Sequence, residues 1–378
     1  MLKILKMTLL SIIIAIVAVI ILVIAFFKTA PQIGAKPEGA DLKGLQLSDN
    51  YKEDKFVNQF DIEDDFPLSK SISIMYKFIM KKGALEPDKQ VLTTRFDKQS
   101  WVQRNEEEIL LAWFGHSSAL IKMDGKTILA DPVFGERASM FSFMGPKKFD
   151  YSNYMDVDQL PEVDLVIISH DHYDHLDYPT ILALKDHVSL FYVPLGVASH
   201  LEKWGIPAEH IKTFDWWESQ NLSEDLKLTF APTQHFSGRG LNDKFSTLWG
   251  SWVIEGSVQK MYFSGDSGYF PGFKEIGEKF GPFDFALVEC GAYNAEDWGD
   301  IHMLPEKSVQ AALDVKAKIA MPIHWGKFDL ALHPWKEPVQ RFLKAAKING
   351  LQTHTPVVGD ILSIPAETGN SNWWEAYQ

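Results

Sequence analysis

The stretch Ser169–Asp177, SHDHYDHLD, places three histidines and three aspartates within nine residues. It follows VDLVIIS, which we interpret as a buried strand because it is apolar on both faces. Residues i and i+2 at the end of an extended strand point the same way, so His170 and His172 can bind one ion together. Asp174 and His175 follow where the chain turns toward a predicted helix, and they could face a second ion. The alternative is a solvated polar loop.

Further donors stand directly after other apolar runs of the chain. His235 follows LTFAPTQ, Asp266 follows KMYFSG and His324 follows KIAMPI. Each residue alone is more simply a hydrogen-bonded loop residue, but four such strand ends, one with a complete motif, together indicate a site. The sequence contains one cysteine, Cys290, so a metal centre must use His, Asp or Glu, and such ligands suit zinc.

The remaining pattern predicts the fold class. ALIKMDGKTILADPVF indicates two strands around Asp124-Gly125, a strong hairpin signal. From about residue 108 strands occur in runs with helices between them. This predicts an α/β (α+β) fold in which two packed sheets carry helices outside, a four-layer αββα sandwich. A doubly wound sheet is the alternative, and the hairpin-like strands and the absence of a glycine-rich phosphate loop count against it.

The first residues of the chain predict a membrane helix. Met7–Phe27 comprises 21 uncharged residues, which span about 30 Å as a helix, the thickness of a hydrocarbon core. A cleaved signal peptide is the alternative, but the run exceeds the usual apolar region and no clear cleavage site follows. Lys3 and Lys6 favour a cytoplasmic N-terminus and an extracytoplasmic body, whereas Lys28 opposes that orientation.

These patterns divide the chain into three parts. Residues 1–28 are predicted to be a single-pass anchor, and residues 108–378 the catalytic domain. Between them, residues 29–107 form a linker and lead-in. Its first part, residues 30–70, is rich in Pro, Gly, Asp and Lys, which predicts an extended segment without helical period, whereas SISIMYKFIM further on indicates a short helix.

The ligand order, His-x-His-x-Asp-His and then a later His, Asp and His, resembles the metallo-β-lactamase superfamily. Other stretches resemble its branch of N-acylphosphatidylethanolamine-hydrolysing phospholipase D and bacterial relatives, and the resemblance covers roughly residues 108–360. Those stretches are FGHSSALIKMDGKTILADPVF, MGPKKF, FDWWE, LWGSW, GDSGYFPGFKEIGEKFGPFD, GAYN and MPIHWGKF. The segment from Asn294 to Ile301 differs from the animal enzyme, and we expect that segment to line the substrate mouth.

The resemblance implies an αββα fold with two zinc ions at one edge. A first ion would be held by His170, His172 and His235, a second by Asp174, His175 and His324, and Asp266 would bridge them. It also implies that a hydroxide bridging the two ions is the nucleophile, and that the loop residues His116 and His302 approach the pocket to bind phosphate or shuttle a proton. A structural histidine is the alternative for each. Asp131 either orients a metal-bound histidine or caps a turn.

The resulting expectation is a zinc-dependent phosphodiesterase of phospholipase D type, with Asp174 in its catalytic centre, acting on N-acylphosphatidylethanolamine-like lipids at a membrane. A carbonyl hydrolase such as a lactonase is the alternative, since the same nucleophile could attack a carbonyl. A non-catalytic metal-binding module is also open, but the complete ligand set counts against it. The net charge of −13 argues against a nucleic-acid partner. Homo-oligomerisation stays open.

Other polar and aromatic residues carry weaker signals. Trp216 and Trp217 are more simply core residues than an acyl-chain lining. Lys147 and Lys148 could meet an anionic headgroup, but a solvated face is the simpler interpretation. The residues that we interpret as surface, packing, turn or supporting groups are His187, His200, His210, His333, His354, Asp171 and Asp177.

Overall fold

The structure is a computed structural model that describes residues 2–62, 68–80, 85–104, 108–365 and 369–378. The helices within these ranges are α1 Leu2–Thr29, α2 Gly39–Leu45, α3 Leu68–Met80, α4 Lys98–Gln103, α5 Tyr178–Leu184, α6 Ala198–Lys203, α7 Gly272–Lys279, α8 Pro305–Asp314 and α9 Glu337–Asn349. The strands are β1 Tyr51–Lys52, β2 Lys55–Phe56, β3 Ile109–Trp113, β4 Ala119–Met123, β5 Lys126–Ala130, β6 Leu165–Ile167, β7 Phe191–Pro194, β8 Ile211–Phe214, β9 Ser219–Asn221, β10 Lys227–Ala231, β11 Ser251–Glu255, β12 Lys260–Phe263, β13 Phe283–Glu289, β14 Ala317–Ile323, β15 Gln352–Thr353 and β16 Ile361–Ile364.

Two mixed sheets of seven strands each form the centre of the domain. The first sheet has the order β16-β3-β4-β5-β6-β7-β8, and the second has the order β15-β14-β13-β12-β11-β10-β9. In each sheet a run of antiparallel strands meets a run of parallel strands. The predicted fold class is therefore confirmed, and the doubly wound alternative is wrong because the strands divide into two sheets rather than one.

Each sheet is covered on both faces, which gives four layers. Leu110 and Ala112 of β3 belong to the same apolar cluster as Ile181 of α5, whereas Leu111 belongs to the cluster that contains Trp252 of the second sheet. Because successive side chains of a strand point to opposite faces and both faces are buried, ILLAW reads as one continuous apolar run. Helices α8 and α9 pack against the outer side of the second sheet.

The predicted hairpin is confirmed between β4 and β5. Asp124 and Gly125 have φ angles of 46° and 72°, and two positive φ values are what the tight hairpin turn requires. The Asp124 carboxylate also accepts hydrogen bonds from the N–H and hydroxyl of Ser257 at 2.9 and 2.6 Å. The hairpin tip is thus bound to the turn between β11 and β12 of the second sheet.

The segment of residues 29–107 contains more regular structure than its composition predicts. The expectation of an extended stretch without helices is wrong for α2, whose Leu45 is buried in the core between the sheets. Phe56 is also buried there, and its N–H donates to the carbonyl of Phe245 at 2.9 Å. Tertiary burial of single residues stabilises such a short helix, so it leaves no apolar period in the sequence. The helix expected over SISIMYKFIM is present as part of α3.

Helix α1 stands apart from the sandwich along most of its length. Its segment Lys6–Thr29 is 24 residues long, which is sufficient in length and composition to cross a membrane, and its described apolar side chains are largely exposed. Such a helix could be a membrane anchor or a signal sequence.

Candidate metal centre

The ends of strands from both sheets converge on one edge of the sandwich. The motif loop follows β6, His235 follows β10, Asp266 follows β12, and His324 directly follows β14. All seven predicted ligands therefore lie in loops that begin where buried strands end. The structure brings them together into two groups of side chains that share one central carboxylate.

The first group consists of His170, His172 and His235. The Nδ1 atom of His172 lies 2.9 Å from His170 Nε2 and 3.2 Å from His235 Nε2. Two nitrogen ligands of one tetrahedral zinc ion lie about 3.3 Å apart, since each is about 2 Å from the metal. The spacing of these three imidazoles therefore fits a single ion.

The second group consists of Asp174, His175 and His324, with His116 beside them. Asp174 Oδ2 lies 3.2 Å from His324 Nε2, 3.6 Å from His175 Nε2 and 2.9 Å from His116 Nε2. His116 is almost fully buried and its ring centroid is 4.0 Å from that of His324. The structure thus places His116 beside the second group.

Asp266 lies between the two groups. Its Oδ2 atom is 3.0 Å from His324 Nε2 and 3.1 Å from His175 Nε2. The same atom is 3.8 Å from the Nε2 atoms of both His170 and His235. The Oδ1 atom is buried and accepts no hydrogen bond from the residues that the structure describes. A buried carboxylate oxygen of this kind needs a partner, and a cation would supply it, so the donor set fits a pair of metal ions.

Residues behind the ligands hold the imidazoles in one orientation. Asp131 is fully buried, accepts hydrogen bonds from the Ser169 N–H at 2.7 Å and hydroxyl at 2.5 Å, and lies 2.7 Å from His175 Nδ1. His235 Nδ1 donates to the carbonyl of Ile301 at 2.9 Å. Both contacts leave Nε2 of the histidine facing the centre, which is the arrangement that second-sphere partners produce in metal sites.

The pKa shifts in the cluster follow from burial and from opposed charges. Burial lowers the pKa of His170, His172 and His235, which favours the neutral imidazole that binds a metal. Burial alone would raise the pKa of Asp266, but the adjacent imidazoles hold it well below its ordinary value. Burial opposes protonation of His324, yet Asp266 and Asp174 raise its pKa to about 10. A metal ion must displace that proton, so metal affinity is coupled to pH.

Glu289 is a candidate site residue that the sequence reasoning missed. It ends β13 and is fully buried, its Oε1 accepts from the Met303 N–H at 2.9 Å, and its Oε2 lies 3.7 Å from His302 Nδ1. Burial raises its pKa. The His302 ring is 5.0 Å from that of His235, so His302 also reaches the pocket. A charged residue directly after the apolar run FALV, residues 285–288, was the available signal.

The expected mouth segment, residues 294–301, borders this pocket. Its Ile301 carbonyl binds His235, and its Asp297 pairs with Lys77 of α3 at 2.6 Å. The Trp298 ring stacks on Phe78 of α3 with centroids 6.3 Å apart. Helix α3 therefore contacts this segment at Asp297 and Trp298.

The other predicted candidates have structural partners. The Trp216 indole is buried and donates to the Trp249 carbonyl at 2.7 Å, and the Trp217 ring stacks on Phe280. Lys147 pairs with an exposed Glu136 at 3.1 Å. The Lys148 ammonium donates to the carbonyl of Phe134, and the Asp177 carboxylate caps the first turn of α5.

Comparison with known proteins agrees with this geometry. The Beta-lactamase superfamily domain matches residues 126–325. The chain belongs to the metallo-β-lactamase superfamily. An uncharacterised protein of Mycobacterium tuberculosis is 38% identical over 346 residues, which cover 89% of this chain and 91% of the relative. The N-acyl-phosphatidylethanolamine-hydrolyzing phospholipase D 1 of Caenorhabditis elegans is 33% identical over 273 residues, covering 68% of this chain and 76% of the relative.

A solved structure gives the same architecture. The isothiocyanate hydrolase from Delia radicum gut bacteria superposes with a TM-score of 0.54 at 19% identity, over 67% of this chain and 98% of that one. At that identity the likeness concerns the fold alone. The superfamily resemblance inferred from the sequence is confirmed, and the protein is a metal-dependent hydrolase of the metallo-β-lactamase fold with a candidate His/Asp metal cluster.

Proposed function

We propose that this protein is a phosphodiesterase of phospholipase D type that uses two zinc ions to cleave N-acylphosphatidylethanolamine-like lipids. The observation that carries the proposal is the position of Asp266 Oδ2 between the two ligand groups, within 3.8 Å of the four imidazole nitrogens around it. The similarity to the Caenorhabditis elegans enzyme supports the lipid class.

The ligand assignment follows the two groups. His170, His172 and His235 hold one ion, Asp174, His175 and His324 hold the other, and Asp266 contributes to both. Imidazole and carboxylate ligands suit zinc, and this set leaves coordination positions for water and substrate. Two such ions, when bound, supply an activated water at neutral pH and positive charge for the nonbridging phosphate oxygens.

The surrounding residues orient the ligands and move protons. Burial lowers the pKa of His116 to about 3, so its neutral ring keeps one proton, which at Nε2 donates to Asp174 at 2.9 Å and holds that carboxylate in place. In this proposal His302, which lies beside Glu289, is the residue that transfers a proton during the reaction. Water gives up one proton as its oxygen bonds to phosphorus, the bond from phosphorus to the alkoxide oxygen of the N-acylethanolamine breaks, and that alkoxide takes up one proton, so the protons balance. The products are phosphatidic acid and an N-acylethanolamine.

The membrane assignment uses α1 as a single-pass anchor. Lys3 and Lys6 precede the apolar segment, so the positive-inside rule favours a cytoplasmic N-terminus and an extracytoplasmic domain. A catalytic domain tethered in this way would meet its lipid substrate within the plane of one leaflet.

The test is a substrate panel with purified full-length protein loaded with zinc in detergent micelles. N-acylphosphatidylethanolamine, phosphatidylethanolamine, a lactone and a β-lactam are offered in parallel, and phosphatidic acid release from the N-acylated lipid is expected. Asp266→Ala should abolish that release, whereas Asp225→Asn, at an exposed aspartate between β9 and β10, should preserve it.

The outcomes separate the two parts of the proposal. Hydrolysis of the lactone or β-lactam without lipid cleavage would contradict the substrate class and leave the metal assignment standing. Full activity of Asp266→Ala would contradict the metal assignment itself.

A further inference from the structure

The short segment that follows α1 is bound to the catalytic domain by its backbone. This segment, Ala30–Lys36, is named the latch. The Trp204 indole donates to the Pro31 carbonyl at 2.7 Å, and the Lys203 ammonium donates to the Gly34 carbonyl at 2.5 Å. The latch therefore follows the surface of α6 directly after the predicted anchor ends.

One latch amide is connected to the motif loop through a buried histidine. The Ala35 N–H donates to Nδ1 of His200 at 3.0 Å, and His200 Nε2 lies 3.2 Å from Asp171 Oδ2. A neutral imidazole has one N–H, so a ring that accepts at Nδ1 must donate from Nε2. The direction of both hydrogen bonds is therefore determined, and the carboxylate of Asp171 is the final acceptor.

Asp171 stands between two of the proposed zinc ligands, His170 and His172. It is fully buried, and besides His200 its oxygens accept from the Gly238 N–H at 2.8 Å and the Thr247 hydroxyl at 2.9 Å. A carboxylate bound on every side fixes the backbone that carries both imidazoles.

A buried arginine makes a second connection between the same two segments. The Arg239 guanidinium donates to the Gln32 carbonyl from Nε at 3.0 Å and from one terminal nitrogen at 2.7 Å. Its other terminal nitrogen donates to the carbonyls of Asp171 and Leu176 at 2.5 and 2.8 Å. One planar group thus joins the latch to both ends of the proposed zinc loop.

We propose that the latch, acting through the positioning residues His200 and Arg239, holds the motif loop in its metal-binding conformation. The inference rests on the proposed function only in taking His170, His172, Asp174 and His175 as metal ligands. When the latch is displaced, His200 loses the Ala35 N–H that orients its ring toward Asp171, and Arg239 loses the Gln32 carbonyl that orients its guanidinium toward the loop. The zinc ions then dissociate faster, and turnover falls while recognition of the lipid is retained.

Gly34 offers a sharp test because it permits the close approach of the latch to His200. A Cβ atom at Gly34 would lie 2.1 Å from His200 Nδ1, and the residue has a φ of +75°. Gly39, a few residues along, has a φ of +57°, and a Cβ there would meet nothing within 4 Å. Both glycines have a positive φ, but Gly34 also has a ψ of −150°, so Gly34→Ala displaces the latch through backbone strain as well as through the contact with His200. Gly39→Ala is the control for a positive φ without an obstructing contact.

The experiment uses the full-length zinc-loaded protein in detergent and measures zinc transfer to a chromophoric chelator without lipid. Gly34→Ala should weaken zinc retention by about 10- to 100-fold, the range for lost second-sphere support, and should alter the absorption spectrum of the cobalt-substituted protein. Lipid turnover should show a lower kcat at an unchanged KM. Gly39→Ala should match the parent protein in retention and spectrum.

Equal zinc retention in Gly34→Ala and Gly39→Ala would contradict the proposed role of the latch. If Gly34→Ala does not fold, Arg239→Lys replaces it, since an ammonium cannot reproduce the guanidinium fork, and its unchanged zinc retention would overturn the proposal equally. A parent protein that binds no metal would instead contradict the proposed function, so the two failures are distinguishable.

Discussion

The substitution Asp131→Asn tests how this fold prepares a histidine for metal binding. Asp131 has a φ of 39°, and asparagine tolerates that left-handed conformation, so the backbone need not change. The carboxylate is 2.7 Å from His175 Nδ1 and accepts the proton on that nitrogen. If the amide oxygen keeps the hydrogen bond from the Ser169 N–H, the amide NH₂ faces the imidazole. His175 must then accept at Nδ1, and its single proton moves to Nε2, the nitrogen that faces the centre.

The size of the effect follows from the contact that is lost. A hydrogen bond to a charged group contributes about 1.5–3 kcal/mol to stability. Loss of second-sphere partners typically costs about 10- to 100-fold in metal affinity, which equals about 1.4–2.7 kcal/mol. The two ranges agree, so we expect Asp131→Asn to weaken zinc binding by about 10- to 100-fold.

The assay is competition for zinc with a chromophoric chelator, with a thermal melt of each protein beside it. Asp177→Asn is the matched control, because Asp177 is also buried but caps α5 and accepts from the N–H of Gly135 at 2.9 Å. The control should lose thermal stability and keep its zinc affinity. Asp131→Asn with the zinc affinity of the parent protein would refute the reasoning.

Three further predictions concern Asp174, His324 and the buried Lys327, whose side-chain nitrogen donates to the carbonyls of Phe114 and Val133. Asp174→Asn should lower kcat/KM by about 100-fold or more, which corresponds to about 2.7 kcal/mol of transition-state stabilisation, and full turnover in a lipid assay would contradict the ligand assignment. Zinc retention should weaken as the pH falls, because Asp266 and Asp174 raise the pKa of His324 to about 10 and its proton competes with the metal. A zinc affinity that stays constant in chelator titrations between pH 6 and 9 would contradict this prediction. Burial lowers the pKa of Lys327 to about 7, so between about pH 7 and 10 the unfolded chain binds a proton that the folded chain releases, and stability rises with pH. From pH 7 to 9 the free energy of unfolding of the parent protein should rise by about 2 kcal/mol more than that of Lys327→Met. Denaturant titrations that give both proteins the same pH dependence would contradict this prediction.

The sequence predicted the parts of the molecule that depend on local patterns. Strand ends gather at one edge of a sheet, so His235, Asp266 and His324 could be placed near the motif loop before the sheets were known. The hairpin at Asp124-Gly125 was predictable for a similar reason, because two adjacent residues determine its backbone. In both cases the physical cause lies within a few residues of the signal.

The rest depends on contacts between distant segments. His200 and Asp171 are 29 positions apart and meet only because α6 packs beside the motif loop. Arg239 is one of 37 basic residues, and no periodicity distinguishes it before the structure shows its guanidinium donating four hydrogen bonds to three backbone carbonyls. Helix α2 is stabilised by the burial of Leu45, which a segment rich in Gly and Lys does not indicate. Such features require the tertiary structure.

Hydrolysis in water labelled with oxygen-18 tests the central claim most directly. Attack on phosphorus puts the label into the phosphate of phosphatidic acid and leaves the released N-acylethanolamine unlabelled. Attack on a carbonyl puts the label into a free fatty acid and leaves the phosphodiester intact. Mass spectrometry of the products from N-acylphosphatidylethanolamine and the zinc-loaded protein should find one labelled oxygen in phosphatidic acid. Label in a fatty acid carboxylate, with no labelled phosphatidic acid, would contradict the account.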